Sequence, residues 1–153
     1  MLEMLCLLTF TSPKSIVVDL KHFTWVACES GRVIKSGPAS GGRTHGCIEK
    51  TIPRKSCRTP TGNFNVIVKK GKYYRSPTYP MTKVGDKYIP CKKEKCAKMS
   101  FGIKFHYLGA FIHASNDRLD RHTSHSCVHV GQAHAEWINQ YSYIGMPVVI
   151  LPY

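Results

Sequence analysis

Acidic side chains are scarce in this 153-residue chain. Nine Asp and Glu stand against 22 Lys and Arg, a formal charge of +13 with His neutral. That imbalance predicts an anionic partner and says nothing about the fold. Long apolar runs are missing as well, and no stretch approaches the roughly 20 residues of a transmembrane helix. No repeat and no low-complexity tract is present. With 42% apolar and 20% charged residues, the chain is neither a disordered tail nor a collagen-like polymer. Nothing reads as a nucleic-acid recognition motif or an Arg-dense helix, so nucleic acid is not the expected partner. The length suits one domain.

Cysteine, by contrast, is plentiful: Cys6, Cys28, Cys47, Cys57, Cys91, Cys96 and Cys127. Six can pair and one is left over, which fits an oxidising compartment and one working thiol. Cys91/Cys96 and Cys47/Cys57 are spaced to close local loops, but six cysteines allow 15 pairings and spacing does not choose among them. Residues 1–14 form an apolar stub, suited to a first strand or to the remnant of a signal; they lack the basic start of a leader. The expectation is a chain that begins inside a longer precursor.

Short β-rich runs dominate the rest. Ser15–Leu20 and Phe23–Cys28 read as a hairpin, with a third strand at Arg32–Gly37 after the Ser30-Gly31 turn. Gly37–Lys55 is Gly-, Ser- and Lys/Arg-rich without period, a long loop. Asn63–Val68, Met99–Phe105 and Gly109–His113 alternate like strands. Lys69–Lys98 is basic, aromatic and broken by Pro77, Pro80 and Pro90, which predicts surface loops pinned by Cys91/Cys96. One helix is expected from near Gly131, with Ala133, Trp137, Ile138 and Tyr141 on one stripe, then a closing strand at Pro147–Leu151. The fold class is mostly β, a sandwich or partly closed barrel.

The chemistry sits in Phe111-Ile112-His113, a polar loop of ten residues, and Ser124-His125-Ser126-Cys127-Val128-His129-Val130. A thiol with its ordinary pKa of about 8.5 is mostly protonated at neutral pH and is a poor nucleophile. An imidazole nearby can take that proton. His113 ends one predicted strand and Cys127 opens the next, so both side chains can meet at one sheet edge. The amides of Ser126 and Cys127 can then face a developing oxyanion. A zinc set of Cys91, Cys96, His125 and His129 has 28 residues between its halves, too many for a finger. A papain-like order needs Cys before His, the reverse of what is here. A non-enzymatic basic module that binds wall polymer is the rival of another class.

These segments resemble the L,D-transpeptidase catalytic domain, or YkuD domain, which carries a His, a loop, and Ser/Thr-His-Gly-Cys. IHASNDRLDRHTSHSCVHV resembles that core, CRTPTGNFNV its TPxGxF turn, and MSFGIKFHYLGAFIHA its strand pair. VVDL near the start and AEWINQYSYIGMPVVI near the end fit as well. The likeness covers about residues 15–151 and implies a catalytic domain over 15–153, a YkuD-like β-sandwich of mixed sheets with one main helix after the Cys motif. It implies Cys127 as nucleophile, His113 as its base, the Ala114 carbonyl orienting His113, His125 shaping the pocket, and the Ser126 amide in the oxyanion hole. It implies Ser124, His129, Met99, Phe101, Phe105 and Tyr107 as contacts to substrate, the aromatic ones along the strand feeding the pocket. The implied reaction is acyl transfer. The thiolate attacks the third-residue carbonyl of a peptidoglycan stem tetrapeptide, D-Ala leaves, and an acceptor amine (3→3 cross-link) or water resolves the thioester. Carbapenem-type β-lactams would inhibit it. The expected protein is a monomer with no cofactor and no metal, exported to the bacterial periplasm or cell envelope. Ser126 stands where the family has Gly, and His129 where it has Arg or Asn.

Overall fold

The computed structural model describes residues 1–45, 47 and 56–153. Its eleven strands are β1 (Ser15–Asp19), β2 (Thr24–Glu29), β3 (Arg32–Pro38), β4 (Gly62–Asn65), β5 (Val68–Lys69), β6 (Thr82–Val84), β7 (Lys87–Ile89), β8 (Ile103–His106), β9 (Ala110–Ala114), β10 (Val128–Val130) and β11 (Pro147–Ile150). The helices are α1 (Leu2–Cys6) and α2 (Gln132–Tyr141). One sheet runs β3-β2-β1-β11-β4, a second runs β10-β9-β8-β5, and β6-β7 is a separate hairpin. β1 with β11 and β9 with β10 are parallel; the other pairs are antiparallel. The mostly β class is the one expected from the short alternating runs, and the mixed sheets are what the resemblance implied.

The main core lies between the two sheets. Ile16, Val18 and Trp25 of the first meet Ile103, Phe105, Ile112 and Val128 of the second, with Ala135 and Ile138 of α2 closing one side. Burying each such aliphatic side chain is worth about 1.5–3 kcal/mol. β1 is buried on both faces, because α1 covers the outer one: Leu2, Leu5 and Cys6 pack on Val17, Val26 and Val149. The Cys6–Cys28 disulfide ties that helix to β2.

Several expectations change at element boundaries. The opening residues turn as a helix, where a strand was one reading. The Asn63–Val68 run splits into two strands of different sheets. Val66 crosses between them, its N–H donating to Met146 and that of Ile67 to Lys104. The run at Met99–Phe105 is a strand only from Ile103, since Phe101 turns the chain at φ +57°. In α2 the buried stripe uses Ala135, and Ala133 is exposed. The Gly37–Lys55 loop is more ordered at its start than a structureless loop: Ser40 exchanges both backbone hydrogen bonds with His129. Its residues 46 and 48–55 lie outside the described residues. The disulfides are Cys6–Cys28, Cys47–Cys57 and Cys91–Cys96, and Cys127 is the free thiol. No helix among the described residues is long and apolar enough to cross a membrane.

Candidate active site

The second sheet is the floor of a cavity of about 810 Å³. Register decides what the floor presents. Directly paired residues share a face, and so do residues two apart. Ile103 pairs with Ile112, and both point into the core. The alternate set therefore faces outward. Lys104 pairs with Val68 and Phe111, and His113 pairs with His129. All five line the cavity, as does Cys127, two residues before His129 on the same alternation.

His113 is buried, and its Nδ1 lies 2.7 Å from the Ala114 carbonyl oxygen. A carbonyl only accepts, so Nδ1 carries the proton and Nε2 is left as the basic nitrogen. Burial, reinforced by neighbouring His129, pushes the His113 pKa down to about 3. The ring is thus held neutral at physiological pH, with the Nε2 lone pair unprotonated. His129 stands edge-on to His113, with ring centroids 4.8 Å apart. Burial and His125 push its pKa down to about 4. Its Nδ1 is 3.5 Å from Asp117 Oδ2, too long for a hydrogen bond.

Ser126 holds φ +108°, in the region that favours glycine. A Cβ there costs about 1 kcal/mol, and the turn sets the backbone immediately before Cys127. Ser124 stabilises the same turn: its hydroxyl donates to the Cys127 carbonyl. The first sheet's loop stitches the motif in place, with Ser124 and Gly41 joined backbone to backbone and Arg43 N–H donating to Ser124.

Residues 70–99 form the opposite wall. Tyr79 brings its hydroxyl 2.7 Å from His125 Nδ1, and the rings tilt against each other at 4.6 Å. Burial, with Arg43 adding to it, pushes the His125 pKa down. Burial and then the charge of Cys127 push the Tyr74 phenol up, and both residues line the cavity. Of the four side chains expected on the feeding strand, only Met99 lines the cavity. Phe105 is core, Phe101 packs against the core, and Tyr107 is exposed in the β8–β9 turn. The reason is the late start of β8 at Ile103 and its alternation, which puts Phe105 on the same core-facing side as Ile103 and leaves Lys104 on the cavity side. Tyr74, Tyr79, Lys104 and Asp117 line the cavity instead; they sit in segments or alternations with no distinguishing local motif. His122 accepts a hydrogen bond from the Gly41 N–H and stacks on Phe23.

Cys91 and Cys96 are bonded to each other, so they are not ligands for zinc. Among the described residues no group of three His, Cys, Asp or Glu side chains converges as a metal site. What the cavity offers is a thiol outside the disulfides, a neutral imidazole whose basic nitrogen is set by a backbone carbonyl, and a strained turn just before the thiol.

The model of the L,D-transpeptidase catalytic domain family matches residues 13–150. No curated protein matches the chain in sequence. Among solved structures, the chain is similar to an L,D-transpeptidase from Xylanimonas cellulosilytica, with TM-score 0.69 and 24% identity over 92% of this chain and 61% of that one. It is also similar to an L,D-transpeptidase from Mycobacterium smegmatis, with TM-score 0.65 and 19% identity over 92% and 59%. A third is L,D-transpeptidase 3 from Mycobacterium tuberculosis with a faropenem-derived adduct, with TM-score 0.65 and 18% identity over 92% and 60%. The chain spans about three fifths of the length of these structures.

Proposed function

This chain belongs to the L,D-transpeptidase catalytic domain family, and from that premise we propose that it is a cysteine acyltransferase acting on peptidoglycan stem peptides. The observation that carries the reading is the pairing, in one cavity, of the free Cys127 with a buried His113 whose Nδ1 is committed to Ala114. His113 Nε2 takes the thiol proton, and sulfur attacks the carbonyl of the third residue of a tetrapeptide stem. The tetrahedral oxyanion is met by the amides of Ser126 and Cys127, where one donor is worth about 2.7–4 kcal/mol. As the intermediate collapses, the carbon–nitrogen bond breaks. D-Ala departs with the proton returned by His113, leaving a thioester. An acceptor amine then gives up a proton to the same nitrogen, attacks the thioester, and releases the thiol with a 3→3 cross-link formed.

His125, held by Tyr79, and Ser124 shape the donor pocket in this scheme. His129 stands where Arg or Asn is usual in the family, and its imidazole is held neutral there. Three disulfides and the strongly basic surface support an oxidising compartment facing an anionic polymer, the bacterial periplasm or cell envelope. Solved relatives carrying β-lactam ligands, among them one in complex with imipenem, support acylation of this chain by carbapenems.

The test is product analysis on a purified disaccharide tetrapeptide. Release of D-Ala together with a dimer shortened by one D-Ala is the expected result. D-Ala release with only tripeptide would assign water as the acceptor and make the protein a carboxypeptidase. No release, with salt-sensitive polymer binding that ignores Cys127→Ala, would replace the enzyme with a basic binding module.

A further inference from the structure

The cavity is electrically lopsided. Arg43, Lys70, Lys98 and Lys104 line it against the single carboxylate of Asp117, and Asp117 stands beside His129. Three nearby cations have a partner. The Lys69 ammonium donates to the Ser142 carbonyl, Lys70 sits 4.9 Å over the Tyr74 ring, and Arg43 Nε donates to the Thr123 carbonyl. Lys104 differs. It is half-buried, its register with Val68 and Phe111 turns it to the cavity side, and no carboxylate pairs with it among the described residues. A lysine so placed packs its stem along the sheet and presents an uncompensated positive charge to the cavity.

We infer that the Lys104 ammonium receives a carboxylate of the donor stem and makes the protein select stems with free carboxyl groups over amidated ones. This rests on the transpeptidase reading above. Lys104 lies on β8, one strand from His113 and two from the strand that Cys127 opens. Two strand spacings are about 10 Å, so a stem acylating Cys127 and lying across the sheet carries its other polar groups over Lys104. An amide in that place offers only a neutral carbonyl acceptor and no negative charge, whereas a carboxylate pairs with the ammonium through hydrogen bonds in which both partners are ionised. The role is specificity, and the lysine does not enter the bond-making steps.

The experiment uses synthetic donor tetrapeptides in which each free carboxyl in turn is acid or primary amide: on the diamino acid, on the residue before it, and at the terminal D-Ala. D-Ala or D-Ala-amide release is followed with wild-type protein, Lys104→Gln and Lys104→Arg. Amidation of one carboxyl is expected to raise the wild-type KM by at least about tenfold, with kcat nearly unchanged. That position identifies the carboxylate that is read. Lys104→Gln is expected to show the same rise on the all-acid peptide and to be indifferent to amidation; Lys104→Arg is expected to keep the discrimination. A wild-type protein indifferent to all three amidations overturns the inference without recourse to any variant. So does Lys104→Gln retaining the wild-type preference. Absence of release from every peptide, together with no adduct from imipenem, counts against the transpeptidase reading instead.

Discussion

The floor of the cavity and the wall opposite it are built by different physics. The floor is a sheet, and strand register fixes its side chains. Each inward Ile or Val that anchors β8, β9 or β10 in the core aims its neighbour, Lys104, His113 or His129, into the cavity. The wall, residues 70–99, adds little to the core. Its hairpin β6-β7 is exposed, and the segment is held by local bonds: Ser76 N–H to Ala97, Ala97 N–H to Tyr79, Cys91 N–H to Thr78, and the Cys91–Cys96 disulfide. Cys127 and His113 thus sit where displacement costs core packing, and Tyr74, Tyr79 and Met99 sit where displacement is cheap.

The largest effect belongs to the floor. His113→Ala removes the proton acceptor and is expected to lower kcat by about 10²–10⁴-fold, while Tyr79→Phe on the wall is expected to change kcat/KM by no more than about tenfold. Equal losses would erase the distinction between the two regions. Steady-state D-Ala release measures both.

Next comes the contrast between disulfides. Replacing Cys6 and Cys28 by Ala opens a 22-residue separation and loosens α1 from the first sheet; the expected cost is about 3 kcal/mol, read by urea denaturation. Replacing Cys91 and Cys96 by Ser opens a separation of only 5. Its expected stability cost is smaller, about 2 kcal/mol, but KM for the donor rises because Tyr79 and Met99 lose their frame. A larger stability loss from the second pair would mean that the wall is part of the core.

Acid offers a gentler probe of the floor. His113 and His129 are held neutral with pKa values of about 3 and 4, below the 6.5 of a free imidazole. Between those limits the unfolded chain binds more protons than the folded one, so stability rises with pH through that window. The expected result is a Tm that falls steadily from pH 6.5 towards pH 4. A flatter profile in His129→Asn assigns one share to that residue. A Tm constant over the window would contradict neutral burial.

How much of this was legible in the sequence follows the same division. The hairpin at residues 15–29, strand β9 and helix α2 announce themselves by alternation or by a helical stripe, because burial on one face imposes a period. His113 and Cys127 were legible through motif and order, and the strained Ser126 through the glycine it replaces. Phe101, Phe105 and Tyr107 misled because alternation does not reveal where a strand starts or which of its two faces meets the cavity. Tyr79 and Tyr74 were not legible at all. Loops have no period, and their hydrogen bonds join residues whose proximity depends on the whole fold. Lys104 looked like any surface lysine until pairing with Phe111 turned it towards the cavity.

If Cys127 is the nucleophile of an acyl-transfer site, imipenem acylates its sulfur and no other. Intact mass and peptide mapping after incubation with imipenem show this without any natural substrate. One covalent adduct is expected, on Cys127, absent from Cys127→Ala and formed much more slowly by His113→Ala. No adduct on the wild-type protein, or an adduct that survives in Cys127→Ala, would contradict it.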